Sequence, residues 1–268
     1  MAKELNFDNW LCRASSFHNL VTEPKLKADK EVGNLSQTTK TYLRKVFREI
    51  KYERYEEFES KHTIKGKLKE NDAISLVSRK TKLFYKKNTV RIRNHYTQGE
   101  PDIYQGDKLI GCKIGGDVKC SWSIFTFPFY DDPLDIAYYW QNKIYLYLTM
   151  ADEWYTHYCL VNAPDTLILN EKKNIWFKLD CPEDEQHENY AEYIDKCIEV
   201  EKNMIFDMPQ FKKDHPYFNF DCKDWHYDIP LSERVMSFKV EKHEDDEVYI
   251  KDKVMKARAY LNELAKTH

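Results

Sequence analysis

Gly99-Glu100-Pro101-Asp102 and, fifteen residues after that aspartate, Gly116-Asp117-Val118-Lys119-Cys120-Ser121 are the stretches on which the reading of this chain turns. The second reads as a strand over Gly116–Cys120. Side chains alternate along a strand, so Asp117 and Lys119 point to one face. Asp102 sits just after a glycine turn. Two aspartates and a lysine drawn to one spot form a costly cluster unless something binds there. A divalent metal ion meets that condition, and hard oxygen ligands favour Mg²⁺ or Mn²⁺. The lysine would then orient or deprotonate a water beside the metal.

Working outward, Ile64–Lys80 reads as a helix interrupted near its start by Gly66. Glu70, Ala73, Ile74 and Val77 follow the i, i+3, i+4, i+7 rule, which puts Glu70 on the apolar stripe. Pro133–Met150 is a second helix, on which Ala137, Gln141, Ile144 and Leu148 share a face. A buried Glu and a buried Gln each require partners, and the two bracket the aspartates in chain order. Thr89–Tyr96 alternates as a strand, with Val90 and Ile92 on one side and Arg91 and Arg93 on the other. Trp154–Asn162, rich in aromatic and β-branched residues, is another. Five of the seven glycines fall between Gly99 and Gly116, marking short strands and tight turns. Further helices are expected over Thr38–Ser60, Tyr190–Met204 and Ile250–Ala265. This order predicts one α/β core with helical additions at both ends. The expected organisation is a single domain over 1–268, with a helical N-terminal region (1–62), a catalytic core (63–165) and a C-terminal extension (166–268).

With 268 residues, 42% hydrophobic and 15% aromatic, the chain can bury a sizeable core and is not disordered. No apolar run approaches the ~20 residues of a membrane span, and the start has no signal-peptide h-region. Seven scattered cysteines read as free thiols, which points to the cytoplasm. The net charge of −3 hides an asymmetry: residues 1–100 hold 22 Lys+Arg against 13 Asp+Glu, and the remainder 20 against 32. A basic half can meet phosphate locally, although Lys and Glu also simply solvate helices. A pI near 6.3 argues against a protein that coats nucleic acid indiscriminately. No two cysteines are spaced for an iron–sulfur cluster, no histidines for zinc, and no Gly-x-x-x-x-Gly-Lys loop offers a nucleotide site. Phe125, Phe127 and Phe129, after Trp122, alternate as a half-buried strand or extended loop rather than a base-stacking surface. Arg13 with Ser15 and Ser16 would hold a terminal phosphate or cap a helix. Arg91 and Arg93 would rest on a phosphate backbone or be solvated.

The order Glu70, Pro101-Asp102, Asp117-x-Lys119, Gln141 resembles the PD-(D/E)XK nuclease superfamily. The stretch from Gly99 to Asn162 looks most like the phage lambda exonuclease and YqaJ-type recombination nucleases, with the RecB-type nuclease domain more distant. Looser likeness extends to Ser15-Ser16-Phe17-His18-Asn19, and to phage and prophage proteins over nearly the whole length. One departure is that the usual Glu-x-Lys is Asp117-x-Lys119 here, with a shorter arm. The resemblance implies a central mixed β-sheet flanked by helices. It implies that Asp102, Asp117 and the Val118 carbonyl ligate Mg²⁺ or Mn²⁺, and that Glu70 binds a second ion or its water. Lys119 would position the attacking water, and Gln141 would hold the lysine or the scissile phosphate. The implied activity is a DNA exonuclease acting on one strand of linear duplex, with a single-strand annealing protein as partner and a homo-oligomer, trimeric in lambda-type relatives. An endonuclease, or a non-catalytic DNA-binding protein on the same fold, is the alternative.

Overall fold

The computed structural model describes residues 5–56 and 59–268. Among them are eight strands: β1 (Cys12–Arg13), β2 (Lys86–Lys87), β3 (Ile92–Arg93), β4 (Thr97–Gly99), β5 (Ile103–Gln105), β6 (Ile114–Cys120), β7 (Glu153–Cys159) and β8 (Val235–Lys239). The helices are α1 (Lys27–Glu31), α2 (Gln37–Tyr52), α3 (Lys61–Thr81), α4 (Ile136–Thr149), α5 (Asp165–Lys178), α6 (Tyr190–Met204), α7 (Met208–Asp214) and α8 (Asp246–Thr267). A 3₁₀ segment spans Ala14–Leu20.

The central sheet is mixed, in the order β2-β5-β6-β7-β8. β6 and β7 run parallel, from Ile114↔Glu153 to Cys120↔Cys159, and the connection between them carries α4. β5 and β8 flank this pair as antiparallel neighbours. A smaller sheet, β1-β4-β3, lies at the N-terminal side. Period-two alternation in β6 sorts its residues between two cores. Val118 joins Ala73, Ile74 and Val77 of α3, while Asp117 and Lys119 turn toward α4. On the α4 side, the core gathers Phe17, Leu43, Ile144, Trp154, Val254 and Leu261 from elements spread over the whole chain. A third cluster, from α5 to α7, includes Ile168, Ile205 and Phe211.

Several expectations need correction. The helix expected over Thr38–Ser60 stops at Tyr52, where Glu53 takes a left-handed conformation (φ 51°). Its buried stripe is Leu43, Val46 and Phe47; beyond Tyr52 the chain offers Glu53, Arg54 and Glu56, which cannot extend that stripe. The remaining residues of that expected helix include 57 and 58, which lie outside the described residues. α3 starts earlier than expected, capped by the Ser60 hydroxyl accepting from the Thr63 N–H, and passes through Gly66 unbroken. The strand over Thr89–Tyr96 shrinks to Ile92–Arg93. Asn88 and Asn94 bracket it with side-chain bonds to the backbone of Val90, Tyr96 and Thr97, which compete with a ladder. Val90 is consequently exposed, so the alternation of Val90 and Ile92 against Arg91 and Arg93 fails. α5, α7 and β8 were not expected. In α5 the buried face passes from Leu167 and Ile168 to Lys172, and a buried lysine hides the apolar period. For Phe125, Phe127 and Phe129 the loop alternative holds and the strand does not, and only Phe127 is half-buried. They lie in a 3₁₀ turn and loop, with Phe125 83% and Phe129 73% exposed.

β6 can lie under Trp154 only because residue 115 has no side chain. A Cβ there would stand 2.0 Å from the indole ring of the fully buried Trp154. Gly115→Ala should therefore lower the midpoint of thermal unfolding, by the equivalent of about 1–3 kcal/mol or more of overpacking. An unchanged melting curve would show that Trp154 can withdraw freely.

Candidate active site

β6 continues past the end of β5. Its pairing with β5 stops at Ile103↔Gly116, so the edge of β6 beyond Gly116 is open. Asp102, one residue before β5, fills part of that edge: its Oδ2 accepts the Val118 N–H at 2.8 Å. A strand residue turns its N–H and C=O to the same edge, so the Val118 carbonyl faces the same opening. The turn that delivers Asp102 is held by Asn88, whose side chain donates to the Pro101 carbonyl and whose N–H donates to the Asp102 carbonyl, both at 2.8 Å.

Around this opening lies a cleft of about 570 Å³. Asp102, Asp117, Val118, Lys119, Glu70 and Gln141 all line it. The Lys119 ammonium is paired with Asp117 Oδ2 and lies 4.6 Å from the centre of the Tyr138 ring. Gln141 bridges the two: its Oε1 accepts from Lys119 and its Nε2 donates to Asp117 Oδ1, each at 3.4 Å. Glu70 reaches the cleft but is paired with Lys87 of β2 at 3.1 Å and is not on the buried stripe of α3. Of the three N-terminal candidates, Ser15 lines the cleft, whereas Arg13 and Ser16 do not. Neither serine caps the 3₁₀ segment. Arg91 is exposed and pairs with Glu100 at the cleft margin, at 3.7 Å, and Arg93 is exposed on β3.

Burial first, and the adjacent Asp117 charge second, push the Asp102 carboxyl well above its ordinary 3.8. Burial pulls the Lys119 ammonium down, but Asp117 and Asp102 outweigh it and hold Lys119 above the usual lysine range. Lys119 is therefore a fixed cation here, suited to orienting water or balancing phosphate charge rather than to taking a proton. Asp117 Oδ2 is buried and is held by the Lys119 ammonium. Two buried carboxylates sharing one ammonium, one of them with a raised pKa, and a strand carbonyl form a donor set suited to a hard divalent cation. Among the described residues no three His, Cys, Asp or Glu side chains converge on one ion, so the fit rests on the two aspartates and the carbonyl, with Glu70 at a distance.

Tyr145 and His62 escaped the sequence reading. Tyr145 accepts from Gln141 Nε2 at 3.1 Å and donates to the Glu100 carbonyl at 3.2 Å, linking α4 to the turn before Asp102. Its ring occupies the space a side chain at Gly99 would need, 2.4 Å from the ideal Cβ. The spacing of Gln141 and Tyr145, one helical turn apart, was the available signal. Trp122 and His62 form another part of the cleft lining, with ring centres 5.3 Å apart.

Because Asp102 is raised in the folded chain, folding binds a proton that the unfolded chain releases above pH 3.8. That contribution is present in acid and lost as pH rises through the folded value. In chelator, Asp102→Asn should melt at a higher temperature than the parent at neutral pH, with the gap closing toward pH 4. A gap that stays constant across pH would contradict the buried like-charge arrangement.

No family model and no curated protein matches the chain. Solved structures do. A phage-related exonuclease from Haemophilus somnus 129PT aligns with 25% identity and a TM-score of 0.68, over 97% of this chain and 96% of its own. An alkaline exonuclease from Laribacter hongkongensis aligns with 12% identity and a TM-score of 0.53, over 97% and 92%, a likeness of fold. In fold, the chain belongs with the phage-type exonucleases, in keeping with its resemblance to the lambda exonuclease and YqaJ-type group.

Proposed function

We propose that the chain is a metal-dependent deoxyribonuclease that hydrolyses one strand of linear duplex DNA from an end. The observation that carries this reading is the joining of Asp102, Asp117, Lys119 and Gln141 at the open edge of β6, in a fold shared with phage-type exonucleases. Asp102, Asp117 and the Val118 carbonyl would hold Mg²⁺ or Mn²⁺, and Glu70 would bind a second ion or its water. When bound, the ion supplies Lewis-acid stabilisation of phosphoryl oxygens and acidifies water. Lys119, tied to Gln141, orients the attacking water and offsets phosphate charge. Gln141 keeps the lysine aimed at the cleft through its bond to Tyr145. Ser15 in the cleft, with Arg13 beside it, would contact a terminal phosphate, and Arg91 and Arg93 the backbone. A single-strand annealing protein would take the products, and a homo-oligomer, trimeric by resemblance, would be the working assembly in the host cytoplasm. Among the described residues, no helix is long and apolar enough to cross a membrane.

End-labelled linear duplex and covalently closed circular duplex, each incubated with Mg²⁺ or Mn²⁺, test the reading. The linear form should be degraded and the circle should survive; rapid linearisation of the circle would make the protein an endonuclease. Activity should vanish in excess chelator. Asp117→Ala and Lys119→Ala should each lose about 100-fold or more in turnover, the scale of removing one preorganised charge-stabilising group. Near-parental turnover in either variant would overturn the site. A 5′-phosphorylated end should be degraded faster than a 5′-hydroxyl end, and Arg13→Ala should erase most of that preference.

A further inference from the structure

Lys65 is fully buried (0% exposed) on α3, one residue before Gly66. Its ammonium meets no carboxylate among the described residues. It donates instead to two consecutive backbone carbonyls, Ser121 at 2.7 Å and Trp122 at 3.0 Å, and lies 5.2 Å from the centre of the Phe206 ring. The other deeply buried lysines differ: Lys143 meets Asp246, and Lys172 meets Glu201 and Asp221. Leaving a buried cation without an anion is costly. Burial pushes this ammonium down to about 7, with Cys120 opposing the shift and Lys69 adding to it. Charged or neutral, the amine retains enough N–H groups for both carbonyls.

Those carbonyls belong to the first two residues after β6, the strand that carries Asp117 and Lys119. The Ser121 N–H is anchored separately on the Cys159 carbonyl at 3.0 Å. Lys65 thus fixes the direction in which the chain leaves the strand, and that direction places the Trp122 indole in the cleft. There it meets two residues from the first turn of α3: the His62 ring, and the Lys61 ammonium 4.7 Å from the indole centre. We propose that Lys65 is a positioning residue that holds Trp122 as an aromatic wall of the cleft, against which a nucleobase of the bound DNA strand stacks. The inference rests on the nuclease reading and adds to it the group that grips the base rather than the phosphate.

An Asp117→Asn background keeps the DNA intact, so binding of a fluorescent oligonucleotide duplex can be read by anisotropy. In that background Lys65→Met, which removes the donors while keeping an unbranched apolar stem, should raise Kd about tenfold, within the range of one base–aromatic stack. Trp122→Leu should do the same, and the double variant should be no weaker than either single one, because the two act as one unit. In the active protein Lys65→Met should raise KM about tenfold with kcat little changed, as expected when binding common to ground and transition states is lost. Parental Kd in Lys65→Met overturns the proposal, and so does a double variant whose loss is the product of the two. Parental binding by Trp122→Leu, a half-buried position that reads the wall directly, overturns it whatever Lys65→Met does. If the Asp117→Asn protein binds no DNA and the parent cleaves none, the nuclease reading falls and this proposal with it. Intact cleavage by the parent alongside normal binding by Lys65→Met removes this proposal alone.

Discussion

Asp102 and Asp117 stand together at the buried, open-edged end of β6, where two carboxylates repel each other and neither is well hydrated. Each neighbour of the pair can be understood as an answer to that repulsion. The Val118 N–H is available to Asp102 only because β5 stops pairing at Ile103. The Lys119 ammonium reaches Asp117 because residues two apart on a strand share a face. Gln141 satisfies the lysine and the second Asp117 oxygen with opposite ends of one amide. Its orientation is set in turn by Tyr145, whose hydroxyl gives its proton to the Glu100 carbonyl and so accepts from the Gln141 NH₂. Even Gly99 belongs to this chain of dependence, since any side chain there would collide with Tyr145. One ammonium still faces two carboxylates, and the raised Asp102 reflects that crowding. A hard cation would relieve that crowding.

The parts of this arrangement that were legible in the sequence are those fixed by short-range periodicity. The two-residue alternation of β6 placed Asp117 and Lys119 on one face, and the 3.6-residue period of α4 turned Gln141 inward. Glu70 was legible only to within one helical position. The apolar period placed it on the buried stripe, but Lys65, Lys69 and Ala73 hold that place, and Glu70 turns aside to Lys87. The convergence of Asp102 on Val118 depends on where β5 ends, which no local pattern encodes. The aromatic run after Trp122 shows an ambiguity that local pattern left open. Its alternation allowed a half-buried strand or an extended loop, and no neighbouring strand or helix covers Phe125, Phe129 or Tyr130, which is 82% exposed. Burial is a property of what packs against a segment, and the segment itself did not carry it.

A buried lysine accounts for one of the missed elements, α5. Hydrophobic patterning assumes that charged residues face water, and Lys65, Lys143 and Lys172 are each at most 6% exposed. Lys172 is the clearest case. It joins Glu201 of α6 and Asp221 in a buried network, and Glu201 also accepts the N–H groups of Asp221 and Cys222. The network holds α5, α6 and the following loop together through charges that an apolar count reads as solvent-facing. An acidic, aromatic region therefore folds into a packed helical layer although its period is obscured.

That layer bears on the cleft through the elements it supports. Phe206, buried at the junction of α6 and α7, lies under the Lys65 ammonium. Asn162, just beyond β7, accepts the N–H groups of Phe206 and Asp207. β8 then returns to the sheet beside β7, and α8 crosses to the N-terminal side. There Arg258 donates to the Trp10 and His95 carbonyls, next to β1 and close to the loop between β3 and β4. Because β4 leads directly into the Gly99–Asp102 turn, the last helix steadies the strand that delivers a carboxylate to the cleft. The cleft residues from Glu70 to Tyr145 are close in sequence, but the backbone that holds them in register draws on both ends of the chain, through contacts such as Arg258 to His95 that join residues more than a hundred positions apart.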